Sequence, residues 1–447
     1  MKPAAFPLKT SLTAFAVILL VHLLFFAIAQ LNPPAHLSDS DDYLNASENL
    51  YKKGVLYCGD LSEPIIKEQF TRRPPLYPLL LGTVTLTGSK IPALLIQILI
   101  SMTSIFVVFS IFLQNHSSQN PGKQAVIFAT ILLLATPAQF IYSNRIMAEL
   151  LFQLILVGMA WSVYRHFESR ESRYIWMFHL FLSLGVATKP VLYPFALLSI
   201  ILSLALFLRT KKKAFILAIC LPVVWIGLYS IGNYKRTGSA QYSSIQTANL
   251  VNYNLRYFLM GQEGSEYAAA EVDLLYEVCG DESGYREKNK CLEKGVRNIV
   301  LDRPLQYGLY HLKGSLRYFI DPGRFDLVTY FNLEEPDSPG ILYSLNQEGI
   351  RGVFKFIRQE GWALIAVLVL IALFKLVKIT GFILYLLREK SRLPFRIFLA
   401  ILVGYLALVT GPLGASRFLL PAELFLIGGA VLGWSSLILK NPKAQES

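Results

Sequence analysis

Residues Ile91 to Leu113 read IPALLIQILISMTSIFVVFSIFL, with no Asp, Glu, Lys, Arg or His among them. A helix that crosses the hydrocarbon of a bilayer needs about 20 mostly apolar residues, and nothing interrupts this run. Working outward from it, comparable runs occupy Ser11–Leu31, Gln124–Phe140, Met147–Tyr164, Tyr174–Thr188 and Val191–Leu208. Four more lie at Phe215–Gly232, Trp362–Leu387, Pro394–Thr410 and Phe418–Leu439. The sequence therefore predicts an all-α polytopic membrane protein with about ten transmembrane helices. Leu76–Leu86 is apolar too, but it contains Pro78 and is too short to cross, so it reads as interfacial or re-entrant. Ser11–Leu31 is longer than the h-region of a signal peptide and reads as an uncleaved anchor.

Composition points the same way. The chain has 447 residues, 54% hydrophobic and only 16% charged, where soluble chains run at roughly 25% charged. A soluble enzyme, a disordered chain and a disulfide-stapled module are excluded as classes. Lys and Arg exceed Asp and Glu by 42 to 30, a net charge of +12. In an apolar chain such an excess marks cytoplasmic loops rather than a nucleic-acid partner. Alternation of the ten runs puts Lys2, Lys9, Lys123, Arg165, Arg170, Arg173, Arg209–Lys213, Arg388, Lys390, Arg392, Lys440 and Lys443 on one side. The expectation is a multi-pass protein of a bacterial inner membrane with both termini cytoplasmic. Residues 1–232 form an N-terminal transmembrane module with a first external loop, 32–75. Residues 233–361 form a large external, mixed loop domain, and 362–447 the C-terminal helices and tail. Of four cysteines, Cys279 and Cys291 flank a polar external stretch and are expected to form a structural disulfide. Cys220 lies in a span and reads as a small core residue, and Cys58 has no assigned role.

The chemistry concentrates at one membrane face. Asp39, Asp41 and Asp42 place three carboxylates in four residues just beyond the first span. They suit a general base or metal site, the alternative being a solvated capping turn in which Asp41 or Asp42 favours the start of a helix near Tyr43. Arg72 and Arg73 precede Pro74-Pro75, where they can hold a phosphate or anchor the chain among lipid headgroups. Arg145 with Glu149, Lys189 and Arg417 sit at span ends on that same face. Arg145 and Glu149 could pair across one helical turn, and Lys189 and Arg417 could snorkel. Taken together, a pocket of carboxylates and cations at the external lipid surface suits an anionic substrate, most economically a phosphate-headed lipid.

These residues carry a resemblance. Asp39–Leu50 with Gly54, Arg72-Arg73-Pro74-Pro75-Leu76-Tyr77-Pro78, Met147–Phe152, Thr188-Lys189-Pro190 and Ser416–Pro421 follow the order of loop motifs in GT-C glycosyltransferases. Asn233–Leu250 and Ile299–Pro304 resemble that group's later loop. Specifically, the chain resembles the family 39-like group of aminoarabinose transferases and protein O-mannosyltransferase relatives. The resemblance implies a GT-C-like bundle and inverting transfer of a sugar from a polyprenyl-phosphate donor to an envelope lipid, glycan or protein on the external face. It places Asp39 at the general base, with Asp41 and Asp42 as substitutes because Ser40 stands where many members carry a second acid. Glu149 would position the acceptor or a cation, while Arg73, Lys189 and Arg417, joined by Arg72 and Arg145, would meet the donor phosphate. No cofactor or required metal is implied, a divalent cation being possible but not predicted. Tyr307, Tyr310, Tyr318, Phe319 and Tyr330 would be either a sugar-stacking surface or an interfacial aromatic belt. A transporter or flippase for lipid-linked sugars is the rival reading, although the chain has no convincing internal repeat of the kind many transporters carry.

Overall fold

The computed structural model describes residues 8–35, 37–113, 122–280, 284–333, 361–389 and 392–438, with 351, 352, 354 and 358. Lys2, Lys390, Lys440 and Lys443 of the orienting basic set lie outside the described residues, as does Leu439. Every regular element among the described residues is a helix. The N-terminal half runs α1 (Leu8–Leu31), α2 (Ser38–Lys53), α3 (Leu76–Leu80), α4 (Gly82–Thr87), α5 (Ile91–Leu113) and α6 (Gly122–Leu134). It continues through α7 (Pro137–Tyr142), α8 (Glu149–Ser169), α9 (Arg173–Val186), α10 (Tyr193–Thr210), α11 (Lys213–Ala218) and α12 (Cys220–Thr237). Six further helices follow: α13 (Ile245–Asn249), α14 (Arg256–Glu263), α15 (Ser265–Cys279), α16 (Tyr285–Asp302), α17 (Pro304–Ile320) and α18 (Arg324–Phe331). The chain closes with α19 (Trp362–Arg388), α20 (Leu393–Val409) and α21 (Ser416–Ile438).

Seven of the described helical stretches are long and apolar enough to cross a membrane, not ten. The other three predicted spans are shorter. Gln124–Phe140 breaks at Ala135-Thr136, because Pro137 starts a new helix that cannot continue the old one, leaving α6 with 13 residues. The Tyr174–Thr188 run yields the 14-residue α9, and Pro394–Thr410 yields the 17-residue α20. At 1.5 Å per residue, α6 spans only about 20 Å. Helix lengths alone therefore assign no membrane side, and the expectation of cytoplasmic termini rests on the basic loops of the sequence alone.

Of these seven, α21 is the most enclosed: 83% of its apolar stretch is buried, against 22% for α1 and α19. Backbones of α19 and α21 touch, since a Cβ on Gly433 would lie 1.9 Å from the Gly381 carbonyl oxygen. Such close approach is how helices associate where hydrophobic burial gives no advantage. Lys378 of α19 donates to Glu423 of α21 and, at 2.9 Å, to Thr136 Oγ1, a buried charge pair that the reading of apolar runs passed over.

In the 233–361 segment every regular element among the described residues is a helix, so no sheet appears among them. Cys279 and Cys291 are joined there, Cα atoms 5.6 Å apart, linking α15 to α16. The aromatic run is not a surface. Tyr318 and Tyr330 are fully buried, and Tyr307 and Tyr310 pack on Phe258 with ring centroids 5.3 and 5.6 Å away. Cys220 is exposed on its helix rather than in the core, whereas Cys58 is buried, which pushes its thiol up to about 12.

Candidate functional site

The first acidic stretch lies on α2, which begins at Ser38 rather than near Tyr43. No aspartate caps it; Leu37 occupies the N-cap. Asp39 and Asp41 lie in the first turn, where the helix dipole favours negative charge. Three residues apart, Asp39 and Asp42 share a face, while Asp41 is exposed. Ser40 donates to the Ile146 carbonyl at 3.1 Å and fixes the helix against the turn before α8. Gly54, at φ 70°, ends the helix by donating its N–H to Leu50 and Asn49 carbonyls, a conformation that favours glycine.

Arg72 and Arg73 come to that face from the opposite side. Pro74 and Pro75 stiffen the chain after them, and Leu76 N–H donates to the Ala187 carbonyl at 3.0 Å, fastening the segment to the end of α9. Ser243 and Ser244 hydroxyls donate to the Arg72 and Glu68 carbonyls at 3.1 and 2.8 Å, so the chain beyond α12 closes over the turn.

A continuous run of ion pairs results. Arg72 Nε donates to Asp42 at 2.7 Å; Arg73 donates to Asp42 at 2.7 and 3.0 Å and to Asp39 at 2.6 Å. Arg417, one residue into α21, donates to the other Asp39 oxygen at 2.7 Å and lies 3.7 Å from Glu149. Glu149 in turn accepts from Lys189 at 2.8 Å. Arg73 also lies over the Tyr43 ring, 4.9 Å from its centroid. Thus Asp39, Asp42, Arg72, Arg73, Glu149, Lys189 and Arg417 meet although they come from widely separated parts of the sequence. Four cations face three carboxylates, one positive charge in surplus.

The electrostatics of Asp39 follow from this. Burial works to raise its carboxyl, but Arg73 and Arg417 overcome that and hold it well below the usual carboxylate range. For Lys189, burial lowers the ammonium and outweighs the support of Glu149. Glu149 is 1% exposed, and its Oε2 has no hydrogen-bond partner, as is true of Arg417 Nε. Among the described residues no three His, Cys, Asp or Glu side chains gather where they could hold a metal.

Arg145 departs from expectation. It precedes α8 and makes no pair with Glu149; it donates to Thr329 Oγ1 at 2.7 Å and faces the Tyr330 ring. Its Nε and Nη1 are buried without partners. Sequence reasoning missed the device that holds Arg417. Asp321 accepts from the Ser416 backbone N–H at 2.6 Å, and Asp326 accepts from the Ser416 hydroxyl and, at 2.7 Å, from Tyr142. These partners lie some 90 residues or more from Ser416 in the chain, and no local pattern joins them.

No family model matches the chain, and no curated protein matches it. Some solved structures are similar. The archaeal oligosaccharyltransferase AglB of Archaeoglobus fulgidus, in complex with an inhibitory peptide and a dolichol-phosphate, is 14% identical with a TM-score of 0.46, over 97% of this chain and 50% of its own. The apo form of the Archaeoglobus fulgidus oligosaccharyltransferase gives 14% and 0.48, over 97% and 51%. ArnT from Cupriavidus metallidurans bound to undecaprenyl phosphate gives 14% and 0.36, over 95% and 78%. The chain spans about half the length of the oligosaccharyltransferases.

Proposed function

We propose that the chain is an integral-membrane glycosyltransferase of the GT-C type. It takes a sugar from a polyprenyl-phosphate donor and passes it, with inversion, to an envelope lipid, glycan or protein on the external face of a bacterial inner membrane. The observation that carries this reading is the ion-pair run from Arg72 to Lys189, in which cations outnumber carboxylates beside the ends of apolar helices.

Displacement at an anomeric carbon needs a base for the incoming hydroxyl and positive charge for the departing phosphate. The acceptor oxygen bonds to the anomeric carbon and its proton passes to Asp39. The bond to the phosphate oxygen breaks, its electron pair leaving with the polyprenyl phosphate. Arg73 and Arg417 touch Asp39 and so can meet the phosphate beside it. Guanidinium suits this because its planar fork matches phosphate oxygens. With both arginines on the carboxylate, Asp39 is a weak base; once they share their charge with the donor, its proton affinity rises when the acceptor needs it. Lys189 and Glu149 continue the charged surface on which the acceptor would be oriented.

The test is incubation of the purified protein in proteoliposomes with labelled polyprenyl-phosphate sugars and envelope extract. Label should move to an acceptor while free polyprenyl phosphate accumulates. Passage of the intact lipid-linked sugar across the membrane, with no free polyprenyl phosphate, would make the protein a transporter instead.

A further inference from the structure

Helix α17 divides its surface into three strips. Tyr307, Tyr310, Gly314, Ser315 and Tyr318 face the protein. Leu305, Leu309, Leu312, Leu316 and Ile320 form a second strip and are 50–72% exposed. At 3.6 residues per turn those five fall within an arc of about 80°. Lys313 and Arg317, both exposed, run along one edge of that arc.

Its packed face rests on helices at the membrane. His311 Nε2 is 2.7 Å from the Leu408 carbonyl near the end of α20. Gly314 lies against Gly411 so closely that a Cβ there would be 1.9 Å from the Gly411 carbonyl oxygen. Asp321, directly after α17, receives the Ser416 N–H at the start of α21. So α17 crosses the bundle at the level where α20 ends and where α21, long and apolar enough to cross a membrane, begins. Its leucines are exposed to the same degree as the outward residues of α19, such as Val369, Leu370 and Leu373 at 53–55%.

We propose that α17 lies in the membrane interface, its leucine strip among the acyl chains and Lys313 and Arg317 against lipid phosphates. The partner is the phospholipid bilayer itself. An amphipathic helix with an apolar strip and a basic edge binds a bilayer in this way, and long basic side chains reach headgroups from such a position. Residues 304–320, read from sequence as part of an external loop domain, are on this account a membrane-seated element.

Nitroxide labels at residues 309, 312, 313, 316 and 317, one at a time in a Cys58→Ser/Cys220→Ser background, test it. The full chain is placed in nanodiscs of phosphatidylcholine and phosphatidylglycerol, and accessibility to oxygen and to a water-soluble nickel chelate is measured. The ratio of oxygen to nickel accessibility should be several-fold higher at 309, 312 and 316 than at 313 and 317. High nickel accessibility at all five positions would place the helix in water and overturn the proposal. Low accessibility to both reagents at 309 and 312 would overturn it too, showing the strip covered by protein, with spin–spin broadening identifying a second copy.

Discussion

Replacing Asp39 with Asn separates two roles for the carboxylate. If Asp39 were only a scaffold for the arginines, its loss would weaken donor binding. If it is a base that shares those arginines with the donor, its loss should strengthen binding while ending transfer. Asp39 accepts from Arg73 at 2.6 Å and from Arg417 at 2.7 Å, so a phosphate meeting the same guanidinium groups sits close to a charge of its own sign. At about 5 Å and an effective dielectric near 20, like charges repel by about 3 kcal/mol. Asparagine keeps the shape but makes neutral hydrogen bonds, and looser positioning of two guanidinium groups gives back about 1–2 kcal/mol of that gain. The net expectation is roughly 1–2 kcal/mol tighter binding, about 5- to 30-fold in Kd. Titration of polyprenyl phosphate into wild type and Asp39→Asn in nanodiscs at fixed salt measures this, with sugar transfer followed in parallel. Equal or weaker binding by the variant would refute the reasoning, and so would retained transfer.

Other consequences can be checked separately. Arginine removal should change pH dependence: in the free enzyme Asp39 stays ionised through mildly acid pH, so kcat/KM for the donor should show no limb from it between about pH 5 and 7. Arg73→Gln or Arg417→Gln leaves the raising effect of burial less opposed, so an acid limb should enter the pH–rate profile, with donor affinity about 10-fold or more weaker. Lys189→Gln leaves Glu149 buried with Arg417 at 3.7 Å as its remaining cation; about 3 kcal/mol of stability should be lost, partly restored in Glu149→Gln/Lys189→Gln. Thermal unfolding in detergent reads this, and full additivity would contradict it. Opening the Cys279–Cys291 disulfide by Cys279→Ser should cost up to about 3 kcal/mol locally, seen as faster proteolysis within α15 and α16, with donor binding unchanged.

Much of the site was legible because its residues are expensive where they stand. Arg73, Lys189 and Arg417 beside apolar runs needed partners, and Asp39, Asp42 and Glu149 supply them. What sequence spacing could not separate was Asp39 from Asp41; the start of α2 at Ser38 turns one toward the arginines and leaves the other exposed. Arg145 was placed with Glu149 by a helical spacing that does not apply, since α8 starts only at Glu149. Hydropathy counted Gln124–Phe140 as one span because it registers apolarity but not the interruption that Pro137 introduces, while α9 and α20 are simply shorter helices, of 14 and 17 residues. Lys378, with Lys375, and Glu423 were lost inside long apolar runs, and only the packing of α19 on α21 brings Lys378 and Glu423 together. Asp321 and Asp326 carried no signal because their partner, Ser416, lies in another part of the chain.

The most direct measurement of the central claim is mass spectrometry of envelope lipids, glycans and proteins from cells lacking the gene, complemented with either wild type or Asp39→Asn. One envelope molecule should lose the mass of one sugar in the deletion, regain it with wild type, and stay short of it with Asp39→Asn. Restoration by Asp39→Asn, or an envelope unchanged by the deletion, would contradict the assignment of sugar transfer to this site.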